Sequence, residues 1–224
     1  MAKAVLQAKN IIKSFYYPTK ISILDNLELT VQRGETVAIK GRSGEGKSTL
    51  LQILGTLDTP CSGQLNILDK SVTFFNKSKI RNNSLGFIFQ SFHLLDDYTA
   101  LENVLMPAKI GRKSIALKSE AYKRALELLD AVGLKDRAHF STKLLSGGEK
   151  QRVSIARALC NDPAIILADE PSGNLDKETA SVIHDLLIRF AKEHNKSLIV
   201  VTHDDNLANL TDTIYHLNNG KLTK

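Results

Sequence analysis

Hydrophobic residues follow two different patterns along the chain. From residue 4 to residue 31, apolar and polar positions alternate loosely, which predicts short antiparallel strands in a small β layer. Residues 164–168 are instead a continuous apolar run, and residues 197–201 form a second strand candidate that is apolar after Ser197. Such runs are typical of strands buried on both faces of a parallel sheet. Together the two patterns predict an α/β fold that begins with an antiparallel β layer.

A segment between these strands carries apolar residues at helical spacing. Thr99 and Glu102 are spaced as a capping box, and residues 119–132 repeat apolar positions every three or four residues until Gly133. We therefore predict one domain over residues 1–224, in which a helical subdomain, about residues 91–148, is inserted into the α/β core.

Three shorter patterns complete the prediction of the fold. Residues 64–68 alternate like an edge strand, and residues 85–89 form a further candidate for a buried strand. The dipeptide Asn219-Gly220 predicts a closing hairpin.

Composition adds few constraints. The chain has 224 residues, 42% hydrophobic and 24% charged, as in ordinary globular proteins, and no apolar run is long enough to span a membrane. The N-terminal residues lack the pattern of a secretory signal, so we expect a cytosolic protein in which Cys61 and Cys160 are reduced. The net charge of +6 favours a solvated basic surface over a nucleic-acid interface, because its basic clusters contain few aromatic residues.

The most specific signal is a glycine-rich stretch. Gly41 to Ser48 matches the phosphate-binding pattern GxxxxGK[ST], between a predicted strand at 36–39 and a predicted helix at 48–54. Its glycines let backbone N–H groups surround a phosphate, and the helix directs its positive end at the same anion. Lys47 can then reach the β and γ phosphates, while the Ser48 hydroxyl can bind Mg²⁺.

Other candidate groups lie at element ends. Asp169 and Glu170 follow the first apolar run: one carboxylate can hold Mg²⁺ through water, and the other can accept a proton from attacking water. His203 follows the second run, where a histidine is either structural or part of the same site. Ser146 and Glu149 form another capping box, which marks either a second anion site or simply a well-capped helix.

Taken in order, the phosphate loop, Gln90, the LSGGE run at 145–149, the Asp169-Glu170 pair and His203 resemble the nucleotide-binding subunit of ABC transporters across nearly the whole chain. The resemblance implies a P-loop NTPase core of the ABC ATPase type, with an N-terminal antiparallel β subdomain and an inserted α-helical subdomain. It also implies an ATPase that uses ATP and Mg²⁺. Two subunits would form a head-to-tail homodimer, with each ATP held between the phosphate loop of one and the LSGGE run of the other.

The resemblance assigns a role to each matching residue. Glu170 would be the general base, His203 would contact the γ-phosphate, and Lys47 and Gln90 would complete the catalytic set. Ser48, Gln90 and Asp169 would hold Mg²⁺, Asp169 through water. The ATP-binding residues would be Phe15, Gly41, Arg42, Ser43, Gly44, Glu45, Gly46, Lys47, Ser48 and Thr49. The partner's ATP would be contacted by Ser146, Gly147, Gly148 and Asp176.

Two of these assignments leave alternatives open. The cluster Phe15-Tyr16-Tyr17 could stack on the adenine or pack on the β layer, and Phe15 matches the adenine position best. Glu45 departs from the family pattern, because it places a carboxylate where a small residue is usual, with Lys40 and Arg42 nearby. We expect it to shift affinity or rate without removing the ATPase activity.

Residues 86–95, 99–104 and 172–176 look like one branch of the family, which contains ATPases for lipoprotein release and for macrolide export. The likeness implies a peripheral subunit on the cytoplasmic face of the inner membrane that works with integral membrane subunits, with lipoprotein release as the favoured function. A macrolide-type efflux or cell-division complex is the alternative. A nucleic-acid-associated ATPase has only the basic charge in its support, and we expect no nucleic-acid partner. The helical segment after Gln90, including Leu94, is the expected contact with the membrane subunit, with packing inside the domain as the alternative.

Overall fold

The computed structural model describes residues 3–16 and 18–224, and these form two β-sheets with helices packed around them. The strands are β1 (Ala4–Phe15), β2 (Ile21–Gln32), β3 (Thr36–Lys40), β4 (Ser62–Ile67), β5 (Lys70–Ser71), β6 (Leu85–Ile88), β7 (Ile165–Asp169), β8 (Ser197–Val201), β9 (Thr213–Asn218) and β10 (Lys221–Thr223). The α-helices are α1 (Lys47–Leu54), α2 (Lys77–Ser84), α3 (Ala100–Ile110), α4 (Glu120–Ala131), α5 (Gly147–Leu159), α6 (Lys177–Glu193) and α7 (Asp205–Asn209).

The first sheet is antiparallel, with the strand order β2-β1-β4-β5. The prediction of short strands is wrong here, because β1 and β2 each run for 12 residues. Asn10 and Asn26, both at φ 52, lie where the register of the pair shifts, so the strands bend without ending. The edge position predicted for residues 64–68 is also wrong, since β4 pairs on one side with β1 and on the other with the two-residue β5.

The second sheet has the order β10-β9-β3-β8-β7-β6, and all its pairs are parallel except the closing β9–β10 hairpin. That hairpin confirms the prediction, with Asn219 and Gly220 both at positive φ. Side chains alternate along the central strands between two core clusters. Val37 and Ile165 face the antiparallel sheet and α1, whereas Ala38 and Ile166 face the helical segment. Burial on both faces accounts for the continuous apolar runs.

The helical segment connects β6 to β7. Thr99 begins α3 with the predicted capping box, and Ser119 caps α4 by accepting a hydrogen bond from the Tyr122 N–H. The helix α2 was not predicted, because Ile80 is its only buried residue and its sequence therefore lacks an apolar stripe. Across the described residues, no helix is both long enough and apolar enough to cross a bilayer.

Candidate functional site

The phosphate loop joins the end of β3 to the start of α1. Gly46 is the N-cap of α1 at φ 95, a left-handed conformation that favours glycine, and no side chain caps the helix. A Cβ atom at Gly46 would lie 2.3 Å from Cγ2 of Ile23, so the site has no room for a larger residue. The first N–H groups of α1 are therefore left open to an external anion.

Lys47 lies over this loop. Its Nζ donates hydrogen bonds to the carbonyl oxygens of Gly41, at 2.8 Å, and Arg42, at 3.0 Å. The ammonium group is thus held at the loop itself, where it adds positive charge to that of the helix end.

Ser48 and Asp169 come together from different elements. Ser48 Oγ donates a hydrogen bond to Asp169 Oδ1 at 3.2 Å, which joins the start of α1 to the end of β7. Burial is the main cause that raises the pKa of Asp169, and the neighbouring Glu170 raises it further, against the effects of Ser48 and Lys47. A hydroxyl and a desolvated carboxylate side by side are oxygen ligands of the kind that Mg²⁺ prefers.

Glu170 is held in place by the end of the neighbouring strand. Its Oε1 lies 2.9 Å from Nδ1 of His203, and its Oε2 accepts hydrogen bonds at 3.3 Å from the hydroxyl of Thr202 and from the His203 N–H. Glu170 also adopts φ 44, a positive value that is uncommon outside glycine. The two strand ends therefore orient one carboxylate and one imidazole toward each other.

Gln90 follows β6 and is fixed by the loop after Glu170. Its Nε2 donates to Asn174 Oδ1 at 3.1 Å, and Asn174 Nδ2 donates back to the Gln90 carbonyl at 3.0 Å. A Cβ atom on Gly173 would lie 2.8 Å from Gln90 Nε2, so glycine gives this amide its space.

These groups surround one cavity of about 610 Å³. It is lined by Ile23, Gly41, Ser43, Gly44, Gly46, Lys47, Ser48, Thr49, Gln90, Asp169, Glu170 and His203. The structure thus brings together the predicted metal-binding and catalytic residues and all of the predicted phosphate-loop residues except Arg42 and Glu45. Ile23 was not predicted to belong to this cavity.

Phe15 does not line the cavity. It ends β1 with 47% of its surface exposed, and Lys13 Nζ lies 5.2 Å from the centre of its ring. Tyr16 is exposed as well, beneath Lys20, whereas Tyr17 lies outside the described residues. One face of Phe15 is therefore available for stacking, and the adenine role stays a prediction.

Arg42 and Glu45 do not line the 610 Å³ cavity. Glu45 Oε2 accepts a hydrogen bond from the Arg42 N–H at 2.7 Å, and both residues line a neighbouring cavity with Lys40, which shares Gly41 and His203 with the first. Lys40 itself pairs with Asp205. The carboxylate that departs from the family pattern thus braces the backbone of the loop.

The partner-site residues form a second cluster at the start of α5 and α6. Ser146 caps α5 with the predicted capping box, and Asp176 caps α6 by accepting a hydrogen bond from the Thr179 N–H at 2.9 Å. A Cβ atom on Gly148 would lie 2.6 Å from Cγ2 of Thr179, so the two helix ends touch through a glycine. None of Ser146, Gly147, Gly148 and Asp176 lines the 610 Å³ cavity.

Two residues that sequence reasoning missed connect these clusters. Arg157 on α5 donates hydrogen bonds to the carbonyls of Phe92 and His93, just after Gln90, and burial lowers its pKa to about 10. His184 on α6 is buried, lies 2.7 Å from Ser172 Oγ and has a pKa lowered mainly by burial. Both occur within ordinary amphipathic helices, and no local sequence signal distinguishes them.

Comparison with known proteins identifies the family. Residues 24–173 match the family model described as ABC transporter, and the chain therefore belongs to this family. Family membership confirms the sequence prediction of an ATP-binding, ATP-hydrolysing transporter subunit.

Individual relatives show which kind of ABC transporter protein the chain resembles. The chain is 61% identical over 218 residues to the lipoprotein-releasing system ATP-binding protein LolD of Protochlamydia amoebophila, covering 97% of this chain and 96% of that protein. It is 48% identical to the protein of the same description from Porphyromonas gingivalis, covering 97% of this chain and 98% of that one.

Similar solved structures agree with this family assignment. An ATP-binding cassette determined as a dimer in a post-hydrolysis state with ADP and Pi superposes with a TM-score of 0.89 at 40% identity, covering 98% of this chain and 97% of that one. This likeness, with the antiparallel sheet and helical segment described above, confirms the predicted fold class.

Proposed function

We propose that this chain is the ATPase subunit of a transporter that releases lipoproteins from the cytoplasmic membrane. The support is its 61% identity, over nearly its full length, to a protein of that description. The observation that carries the ATPase chemistry is the single cavity in which Lys47, Asp169, Glu170 and His203 converge.

Each group in the cavity suits one part of phosphoryl transfer. The open end of α1 and Lys47 would bind the β and γ phosphates of ATP. Glu170 would accept the proton of the attacking water, and its hydrogen bonds to Thr202 and His203 hold the acceptor oxygens in place. His203 would present its imidazole to the γ-phosphate.

The residues present also fit a Mg²⁺ ion. Ser48 Oγ and Asp169 Oδ1 lie 3.2 Å apart, and Gln90 lines the same cavity. Within residues 3–16 and 18–224 no cluster of three or more His, Cys, Asp or Glu side chains is arranged for a metal, so phosphate oxygens of ATP would complete the coordination. When bound, the ion neutralises charge on the phosphates.

A homodimer would complete each site. The helix end carrying Ser146 and Gly148 lies outside the cavity of its own chain, although its glycines keep it free of bulky side chains. A structurally similar ATP-binding cassette was solved as a dimer in two structures. We infer that Ser146, Gly147, Gly148 and Asp176 contact the ATP held by the partner's phosphate loop.

A groove offers a place for the membrane subunit. It has a volume of about 570 Å³ and lies between α2, β6, α3 and α5. Phe87 and Phe89 stack at 5.5 Å beneath it, and Arg157, which holds the segment after Gln90, forms part of its wall. Leu94 instead packs against the core. A membrane subunit bound in the groove would thus respond to the position of Gln90. This contact would lie on the cytoplasmic face of the membrane.

Purification from gently solubilised native membranes tests this proposal. We expect a membrane protein with few spans and a large extracytoplasmic domain to co-purify, and the reconstituted complex to release lipoprotein with ATP. Lys47→Ala should abolish release and weaken nucleotide binding. Recovery of a many-span permease would refute lipoprotein release, and ATP-driven export of a macrolide without lipoprotein release would favour the efflux alternative.

A further inference from the structure

Two adjacent phenylalanines are exposed far from the nucleotide cavity. Phe74 and Phe75, between β5 and α2, expose 79% and 95% of their surfaces, more than any other large hydrophobic side chain in the described part of the chain. Their rings meet edge to face with centres 5.7 Å apart. Exposed neighbouring aromatic residues of this kind mark a surface that is covered in the working protein.

Basic residues precede and follow the pair along the chain. Lys77 Nζ lies 5.2 Å from the centre of the Phe74 ring. Lys70 and Lys79 are exposed, and neither forms an ion pair with a carboxylate among residues 3–16 and 18–224. The nearby acids are already engaged, since Asp69 pairs with Lys3 and Asp58 with Lys13. The surface around the phenylalanines is therefore positively charged.

The pair lies at the start of a helix that also forms part of the groove assigned above to the membrane subunit. Phe75 comes two residues before α2, and Ser78 and Asn82 of that helix line the groove, whereas Phe74 and Lys77 line a different cavity. This placement rests on the proposed function, because a docked membrane subunit would hold this end of α2 close to a bilayer.

We propose that Phe74 and Phe75, with Lys70, Lys77 and Lys79, contact the anionic headgroups of the lipid layer beside the membrane subunit. The combination of residues favours lipid over a protein partner. Lysine is depleted from the cores of protein interfaces, whereas aromatic rings next to lysine are typical of a membrane surface. The rings would enter the headgroup layer, and the ammonium groups would pair with lipid phosphates.

Vesicle sedimentation of the purified subunit tests the proposal. We expect binding at least about ten-fold stronger to vesicles of phosphatidylcholine with phosphatidylglycerol than to phosphatidylcholine alone, and weaker binding at high salt. Phe74→Ser with Phe75→Ser should reduce binding by about ten-fold or more, and Lys79→Gln by about five-fold. ATP hydrolysis should not change.

Leu117→Ser with Leu144→Ser provides a matched control, since these side chains are 72% and 75% exposed on other surfaces. This control should bind vesicles like the unmodified chain. Equal binding to neutral and anionic vesicles, or unchanged binding after substitution of both phenylalanines, would overturn the lipid contact.

Two further outcomes would replace lipid with another partner. If the Phe74→Ser, Phe75→Ser variant lost the membrane subunit in lipid-free detergent, the surface would contact protein. If an oligonucleotide displaced the chain from vesicles only when both phenylalanines were present, the surface would bind nucleic acid. Failure of the unmodified chain to bind ATP or capture a membrane subunit would instead refute the proposed function, independently of vesicle binding.

Discussion

The molecule contains two helix ends suited to anions, and they differ in how much of each is already satisfied. At the start of α1, Gly46 supplies no side-chain cap and the first turn has no acidic residue. At the start of α5, Ser146 Oγ accepts the Glu149 N–H at 3.3 Å, while the Glu149 carboxylate accepts the Ser146 N–H at 2.8 Å. The hydrogen bond from the Ser146 N–H is the main cause that lowers the pKa of Glu149.

The difference indicates that the two helix ends bind a nucleotide in different ways. The end of α1 has open N–H groups and Lys47 beside it, so it can bind phosphate strongly by itself. The end of α5 already carries a carboxylate, which offsets its positive charge and leaves it a weak anion site in the single chain. Such a helix end can contact a nucleotide that the partner subunit has already bound. The following five predictions test this comparison, from the largest expected effect to the smallest.

Removal of the general base at the first site should have the largest effect. Glu170→Gln keeps the size of the side chain but cannot accept the proton, so turnover should fall by roughly 10² to 10⁴ with ATP binding retained. Steady-state hydrolysis and equilibrium binding separate the two quantities. Glu193→Gln, an exposed acid at the end of α6, is the control, and near-normal turnover of Glu170→Gln would contradict its role.

Crowding at the start of α5 should slow ATP hydrolysis without weakening ATP binding. Gly148→Ala would push a methyl group against Cγ2 of Thr179, 2.6 Å away, and shift α5 relative to α6. We expect ATP hydrolysis to fall roughly ten-fold, because the start of α5 would be misplaced relative to the ATP of the partner subunit. The nucleotide affinity of the monomer should not change.

The chain offers a rescue for this substitution. Thr179→Ser removes Cγ2 while keeping a hydroxyl that can donate to Asp176, so the double variant should recover most of the activity. Gly147→Ala, whose Cβ would meet Leu175 at an ordinary 3.4 Å, should be milder. An equal loss of hydrolysis in Gly147→Ala and Gly148→Ala, without recovery by Thr179→Ser, would show that the contact with Thr179 is not the cause of the loss.

The two capping boxes separate stability from function. Ser146→Ala and Thr99→Ala each remove the same type of cap, and each should lower the free energy of unfolding by about 1 kcal/mol. Only Ser146→Ala should also lower hydrolysis, because Ser146 would contact the ATP of the partner subunit and Thr99 belongs to neither ATP-binding cluster. A parallel loss of activity in both variants would show that the effect at Ser146 comes from stability alone.

The capping boxes also predict a pH dependence. The pKa values of Glu102 and Glu149 are both lowered from 4.5, chiefly by hydrogen bonds from the backbone of Thr99 and Ser146. Each carboxylate therefore contributes stability that is fully present above the unfolded value and is lost as pH falls through the lowered one. Because Thr99→Ala and Ser146→Ala keep these backbone N–H groups, the test removes the carboxylates instead: denaturant titrations below pH 4.5 should show a smaller acid loss in Glu102→Gln and in Glu149→Gln than in the unmodified chain.

The carboxylate of Glu45 should have the smallest effect. Because Glu45 does not line the phosphate cavity and the amide oxygen of glutamine can keep the hydrogen bond from the Arg42 N–H, Glu45→Gln should change ATP affinity by less than about three-fold. Calorimetric titration measures this directly. A ten-fold rise in affinity would mean that the charge acts on the bound phosphates after all.

Much of the fold and most of the cavity follow from local patterns. A glycine-rich loop needs only its own residues and the helix behind it, and a capping box spans four positions, so Gly46, Thr99 and Ser146 could be placed from the sequence. The strand-end groups Asp169 and His203 were predicted together because parallel strands end at one edge of a sheet.

Other features could not be predicted because they depend on contacts between distant segments. The helix α2 lacks an apolar stripe, and the two long strands bend at asparagines that resemble turns in the sequence. Arg157 and His184 acquire their roles only through the backbone of Phe92 and the hydroxyl of Ser172, which no spacing rule connects to them.

The sequence by itself thus determined the class of protein, the positions of the phosphate loop and LSGGE run, and the residue types available for catalysis, because these depend on short-range geometry. The tertiary structure alone decided how individual side chains are oriented. It left Glu45 and Ser146 out of the cavity of their own chain, and it held Glu170 between Thr202 and His203. Packing of distant strands and helices sets these directions, and a linear pattern carries no information about them.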